Sequence, residues 1–216
     1  MKIRKHVMLM TAVLMCALML CSCKLAADEP AAPAEPTAEP AASIETAALD
    51  ENATYYAEID IADHGVITVA LYGNDAPISV ANFVKLANEG FYNGLTFHRI
   101  ISGFMMQGGD PNGNGTGGSE NTIKGEFSSN GVENTLSHTR GAISMARSQN
   151  PDSASSQFFI CHADSNFLDG QYACFGYVTD GMDVVDTVCE TAQPTDGNGT
   201  IPADQQPVTT AIRVID

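Results

Sequence analysis

Two alternating runs, YYAEIDIA at 55–62 and GVITVALY at 65–72, are joined through Asp63, His64 and Gly65. A period of two buries one face of an extended strand and leaves the other outward, and so short a link turns the second run back along the first. The folded part of the chain therefore begins as an antiparallel β-hairpin. The rest of the chain has to complete that sheet. APISVANFVKLANEG places Pro77 near a first helical turn, Val80, Phe83, Val84 and Ala87 on one face, and Gly90 as a stop. Short strand-like runs come next at FHRI, FMMQ, GAISMA, SQFFIC and ACFGYV, separated by loops of Gly, Ser and Asn. A second helix fits GMDVVDTVCE, and VTTAIRVI ends the chain as a strand. Many short strands with two helices predict an all-β dominated fold, a closed antiparallel β-barrel whose open ends the helices cap.

Before the hairpin the composition is of a different kind. Lys2, Arg4 and Lys5 precede an uncharged apolar run from Val7 to Leu20, the pattern of an export signal. That run has 14 residues, against roughly 18 to 20 for a membrane-spanning helix. Leu20, Ser22 and Cys23 resemble the box at which bacterial lipoprotein signals are cut and the cysteine lipidated; a plain secretory signal cut nearby is the alternative. Acyl chains on Cys23 would anchor the protein to a membrane without crossing it. Residues 26–52 are mostly Ala, Pro and Glu, too polar and proline-rich to form a core, and read as an extended spacer. The expected organisation is thus a signal peptide at 1–22, a lipid-anchored disordered linker at 23–52 and one domain at 53–216. The expected location is extracytoplasmic, on the cell membrane.

Cleavage after residue 22 leaves 7 Lys and Arg against 26 Asp and Glu, a formal charge of −19. Nucleic acid is excluded as a partner on that balance. Three cysteines, Cys161, Cys174 and Cys189, remain in the domain, with no C-x-x-C pair. Buried free thiols are favoured over one bridge plus a leftover, because Cys161 and Cys174 lie in apolar strand-like runs.

Familiar chemistries do not fit the chain. SASSQ and HADS bring Ser and His close in sequence, but no G-x-S-x-G elbow is present and a serine-rich loop is the better reading. DPNGNGTGGSEN matches the first half of a calcium-binding EF-hand and then offers Asn121 where a bidentate Glu is required. His64, His98, His138 and His162 have no metal-ligand spacing and read as surface or satisfied-core residues, so no metal and no cofactor is expected.

FHRIISGFMMQGGD at 97–110 remains, with Arg99 set among aromatic, aliphatic and sulfur side chains. Together with NGTGG, GAISMAR, SQFFI and FLDGQYACFGYV, in that order, it resembles the cyclophilins over roughly residues 55–216. The resemblance implies an eight-stranded closed barrel with two helices and peptidyl-prolyl cis-trans isomerase activity. Carried over motif by motif, it implies Arg99, Phe104 and Gln107 as catalytic residues. It implies Met105, Gly115, Ala146, Arg147, Gln157, Phe159, Phe167, Leu168 and Tyr172 as substrate-binding residues. Arg147, Phe167 and Tyr172 replace an asparagine, a tryptophan and a histidine of the best-known eukaryotic members. Bacterial members commonly carry Phe and Tyr at the latter two, though cyclosporin would lose the donor of the indole N–H.

Rotation about an X-Pro bond breaks no covalent bond, so the absence of a nucleophile fits this chemistry. The expected partners are proline-containing polypeptides, newly exported ones above all, and the protein is expected to act as a monomer. A non-catalytic chaperone module holding the same segments is the competing reading.

Overall fold

The structure is a computed structural model and describes residue 50 and residues 53–215. The signal peptide, Cys23 and nearly all of the linker lie outside the described residues.

The hairpin forms as the alternation predicts. Strand β1 (Thr54–Ile61) pairs antiparallel with β2 (Gly65–Tyr72) from Thr54↔Tyr72 to Ile61↔Gly65. Asp63 takes the turn with φ 63, a left-handed conformation that Asp tolerates because its short side chain bonds locally. Six further strands complete the sheet: β3 (Arg99–Ile101), β4 (Met105–Gly108), β5 (Ala142–Met145), β6 (Phe158–Cys161), β7 (Cys174–Asp180) and β8 (Thr209–Ile215). All pairings are antiparallel, in the order β3-β4-β6-β5-β7-β2-β1-β8.

Closure is the part of the expectation that the strand pairings leave open. The sheet curls, but no ladder joins its edge strands β3 and β8. The edges meet instead through residues ahead of β3 and at the start of β8: Phe97 N donates to the Pro207 carbonyl at 2.9 Å, and Thr209 N to that of Leu95 at 2.8 Å. With only three residues, β3 is too short to carry a ladder on both sides along its length.

Helix α1 (Pro77–Asn88) buries Val80, Phe83, Val84, Leu86 and Ala87. Phe83 is its anchor, within 5.2 to 5.4 Å of the Tyr92, Phe158 and Phe175 rings. Its far end closes as a Schellman motif: Gly90 has φ 69, Gly90 N donates to the Ala87 carbonyl, and Phe91 N to that of Leu86. Its near end has no local cap, because Ala76 carries no acceptor. The buried carboxylate of Glu126 does that work from 47 residues away, accepting from Ile78 N, Ser79 N and the Ser79 hydroxyl at 2.9, 2.8 and 2.6 Å. Helix α2 (Met182–Thr191) buries Val184, Val185, Val188 and Cys189.

Strands β5 and β6 are buried on both faces, and the alternation sorts their side chains into two apolar clusters. Ile143, Met145, Phe158 and Ile160 join the main core with Phe83. Ala142, Phe159 and Cys161 point the other way into a smaller cluster with Met105, Leu168 and Cys174. That second cluster is the floor of the candidate site.

Candidate active site

Strand register builds the site. Arg99 on β3 stands opposite Gln107 on β4, and Gln107 opposite Phe159 on β6. Directly paired residues share a face, so cation, amide and aromatic ring stand abreast across three strands. Met105, two residues before Gln107, and Gln157, two before Phe159, fall on the same face by the same period.

The guanidinium of Arg99 is held at two of its three nitrogens. Its Nε donates to the Asn198 carbonyl at 2.8 Å, and Nη1 to Gln107 Oε1 at 3.1 Å, with Met105 Sδ 3.9 Å away. Neither N–H of Nη2 has a partner among the described residues. A relay continues behind: Gln107 Nε2 donates to Gln157 Oε1 at 2.9 Å, and Gln157 Nε2 to the Gly117 carbonyl at 2.7 Å. Partial burial pulls the Arg99 pKa below the ordinary arginine range, and Tyr172 and Asp196 oppose that pull. A guanidinium starts so far above neutrality that it stays charged.

Beside it lies a cavity of about 290 Å³ lined by Arg99, Phe104, Met105, Gln107, Ala146, Arg147, Phe159, Leu168 and Tyr172. Leu168 is delivered by a 3-10 turn over Asn166–Leu168. Asp169 pins that turn, accepting from the Ser137 hydroxyl, the His138 backbone N–H and the His138 ring at 2.6 to 2.7 Å. Arg147 forms a wall: its guanidinium lies over the Tyr172 and Phe127 rings, 4.6 and 5.1 Å from their centroids, and donates to the Gln171 and Ser148 carbonyls. A second cavity of about 230 Å³ opens past Arg147, where Gly115, Gly117, Ser148, Ser153 and Gln157 contribute.

Of the site residues expected from sequence, nine line the first cavity and Gly115 and Gln157 line the second. Phe167 lines neither. It is 68% exposed and extends the apolar rim, its ring 5.5 Å from that of Phe104. Sequence reasoning missed Asn198 and Gly117, whose contributions are backbone carbonyls; no side chain advertises such a role. Asn198 is presented by a tight loop in which Asp196 accepts from Asn198 N and Thr200 N.

The rejected chemistries are accounted for. Both Asp110 oxygens are consumed inside their own loop by the N–H groups of Asn112, Asn114 and Gly115, as a glycine-rich turn requires. His162 of HADS accepts from Gly103 N at 2.9 Å, a structural task. Ser144, His138 and Asp169 form a hydrogen-bonded chain, yet Ser144 and His138 are wholly buried and no substrate reaches them. Cys161, Cys174 and Cys189 are free and buried. One histidine departs from expectation: His98 is 4% exposed, and neither ring nitrogen has a partner among the described residues.

Known proteins resemble this chain in sequence and in fold. Peptidyl-prolyl cis-trans isomerase of Helicobacter pylori strain J99 is 48% identical over 137 residues, 62% of this chain and 81% of the relative. Peptidyl-prolyl cis-trans isomerase B of Bacillus subtilis strain 168 is 50% identical over 121 residues, 56% of this chain and 81% of that protein. Among solved structures, a cyclophilin type peptidyl-prolyl cis-trans isomerase of Cryptosporidium parvum superposes with TM-score 0.67 at 28% identity, covering 76% of this chain and 99% of its own. A second structure with the same description, determined in the presence of the dipeptide Ala-Pro, superposes with TM-score 0.66 at 29% identity, covering 74% and 99%. Residues 56–214 match the family described as cyclophilin type peptidyl-prolyl cis-trans isomerase/CLD, and the chain belongs to that family.

Proposed function

We propose that the protein isomerises X-Pro bonds through Arg99 and that its clients are exported polypeptides. The observation that carries the mechanism is a half-buried guanidinium, held at Nε and Nη1 and free at Nη2, beside a pocket floored by Phe104, Met105, Phe159 and Leu168. Resonance makes the C–N bond partly double and sets a barrier of about 18 to 20 kcal/mol. In the twisted transition state the prolyl nitrogen regains its lone pair. A donor directed at it then binds that state better than either planar one, and only such differential binding accelerates the step. Nη2 of Arg99 supplies the donor. Phe104, Met105, Phe159 and Leu168 hold the pyrrolidine ring and exclude water, which strengthens the interaction. Gln107 fixes the guanidinium and orients the neighbouring carbonyl. Gly115, with φ 88, and Ala146 leave space for the peptide backbone. The Ala-Pro dipeptide used with the Cryptosporidium relative supports a proline-containing ligand.

A hydrogen bond from a charged donor contributes about 1.5 to 3 kcal/mol. Arg99→Ala should therefore lower kcat/KM by about ten- to two-hundredfold, measured as cis-to-trans conversion of a short X-Pro peptide. A wild-type protein that adds nothing to the spontaneous rate, or full catalysis by Arg99→Ala, refutes the reading. Turnover absent but peptide affinity present would favour the holding module.

The client class rests on the basic, apolar and Leu-Ser-Cys pattern of residues 2–23 and on the Ala/Pro/Glu spacer. Under this reading the signal is residues 1–22, acyl chains on Cys23 tether the domain outside the cytoplasmic membrane, and 23–52 is a stalk. There a monomeric isomerase meets chains whose folding proline isomerisation limits. Mass spectrometry of the mature N-terminus tests it: a first residue other than an acylated Cys23 removes the anchor. Barrel closure through the backbone bonds at 95–97 and 207–209 completes the fold in the same reading.

A further inference from the structure

Behind the Arg99–Gln107 wall lies a third cavity, of about 700 Å³, to which His98, Asn114, Asn198, Pro202 and Ala203 contribute. It is more than twice the volume of the first cavity and adjacent to it, Arg99 and Gln107 lining both. His98 is its unexplained feature: a ring 96% buried, both nitrogens without a partner, facing a cavity. Buried polar groups are almost always hydrogen-bonded, and the cavity that His98 lines is where a partner for its ring can sit.

The chemistry of the lining selects the ligand. Burial lowers the His98 pKa, Asp110 opposes that shift and Arg99 reinforces it, so the ring is neutral near pH 7. A neutral imidazole offers one donor and one acceptor, the complement of a peptide unit with its own N–H and C=O. Asn114 and Asn198 add amides, Pro202 and Ala203 apolar contact, and no carboxylate of the described residues lines the cavity. An anion would meet Asp110 close behind His98, which disfavours phosphate.

We infer that this cavity is a binding site for an uncharged stretch of the client polypeptide flanking its proline, hydrogen-bonded by His98 and held behind the catalytic arginine. The inference rests on the prolyl-isomerase reading and deepens it. Because Asn198 and Gln107 both grip Arg99 and both line the cavity, a segment seated there bears on the clamp of the guanidinium. Long clients are then better substrates than short ones through a part of the chain remote from the rotating bond.

The test uses the full-length protein and uncharged peptides: a tetrapeptide containing one proline, and versions extended by three residues at either end. Isomerisation gives kcat/KM, and competition for a fluorescent peptide gives affinity. Ala203→Trp fills the cavity from its exposed rim, and His98→Phe keeps the ring volume and removes both nitrogens. For the wild type, an extension at one end should raise kcat/KM about tenfold, since remote binding contributes to transition-state stabilisation. Both variants should reduce that gain to twofold or less while turning over the tetrapeptide within twofold of wild type. Equal kcat/KM and affinity for all peptides, or a gain that survives Ala203→Trp, overturns the inference. Failure to turn over any peptide refutes the isomerase reading alone, because the affinity series still reports on the cavity.

Discussion

Replacing Glu126 by alanine should destabilise the domain more than any exposed substitution. Three donors lose their acceptor: Ile78 N, Ser79 N and the Ser79 hydroxyl, with Ser79 wholly buried. The partly buried Ile78 N–H is hydrated in exchange, a loss of about 1 kcal/mol, whereas the two Ser79 donors are stranded at about 1 to 3 kcal/mol each. Removing a buried carboxylate returns part of this, since its own desolvation no longer opposes folding. The net is about 3 kcal/mol. With a urea slope of about 2 kcal/mol per molar, the unfolding midpoint falls by about 1.5 M at unchanged slope. Glu126→Gln keeps an acceptor but loses the charge and should fall about halfway. Glu126 lines neither groove cavity, so isomerase activity without denaturant should persist. A net loss below about 0.5 kcal/mol for the alanine variant would show that the helix start does not depend on this carboxylate and refute the argument.

Acid should weaken the fold in two stages. Burial lowers the His138 pKa and Asp169 only partly offsets it, so stability declines as pH drops below the ordinary histidine value of about 6.5. Burial pushes the Asp169 carboxyl up, but hydrogen bonds from Ser137, His138 and Asn166 outweigh it and hold it at about 2. Its contribution is complete above about 3.9 and vanishes as pH falls toward about 2. Urea midpoints against pH should show both stages, and Asp169→Asn should remove the lower; an unaltered profile contradicts the assignment. Burial raises the thiols of Cys161, Cys174 and Cys189 to about 12. These three should resist iodoacetamide at pH 8 and react once the chain is unfolded; rapid labelling of any one in the native state contradicts this. Gln157→Leu should lower kcat/KM by about tenfold with little change in urea midpoint, because the relay behind Arg99 loses a link. Activity equal to wild type would show that Gln107 holds the guanidinium unaided.

Local pattern carried much of the fold. The hairpin, both helices and the strand sites are legible from periodicity and from Pro77 and Gly90, because each signal lies within the element it specifies. The start of α1 is not: its capping group is 47 residues away, and Ala76 gives no hint of it. How the barrel closes is hidden from the sequence for a related reason. FHRI has the composition of a four-residue strand, yet Phe97 and His98 lie outside the ladder, and edge-to-edge pairing is decided by chain segments no periodicity describes. In the site, side chains of distinctive chemistry could be found from motifs, as Arg99, Gln107 and Phe159 were. The carbonyls of Asn198 and Gly117 could not, since every residue has one. His98 was misjudged because burial and hydrogen-bond partners are properties of a surrounding shell, not of a spacing.

The amides behind Arg99 can be ordered in only one direction. Arg99 can only donate, so Gln107 must turn its oxygen to it and its nitrogen to Gln157; Gln157 must then offer its own oxygen and spend its nitrogen on the Gly117 carbonyl. Either glutamine reversed would set two donors or two acceptors face to face. The chain thus has a polarity fixed at both ends, by a cation at one and a backbone oxygen at the other. Thermal flipping of one amide breaks the chain, and flipping both only moves the mismatch to its two ends. The aim of the guanidinium is thereby set by the loop after β4 that presents the Gly117 carbonyl, and mobility in that loop would register as a loss of aim rather than a loss of charge.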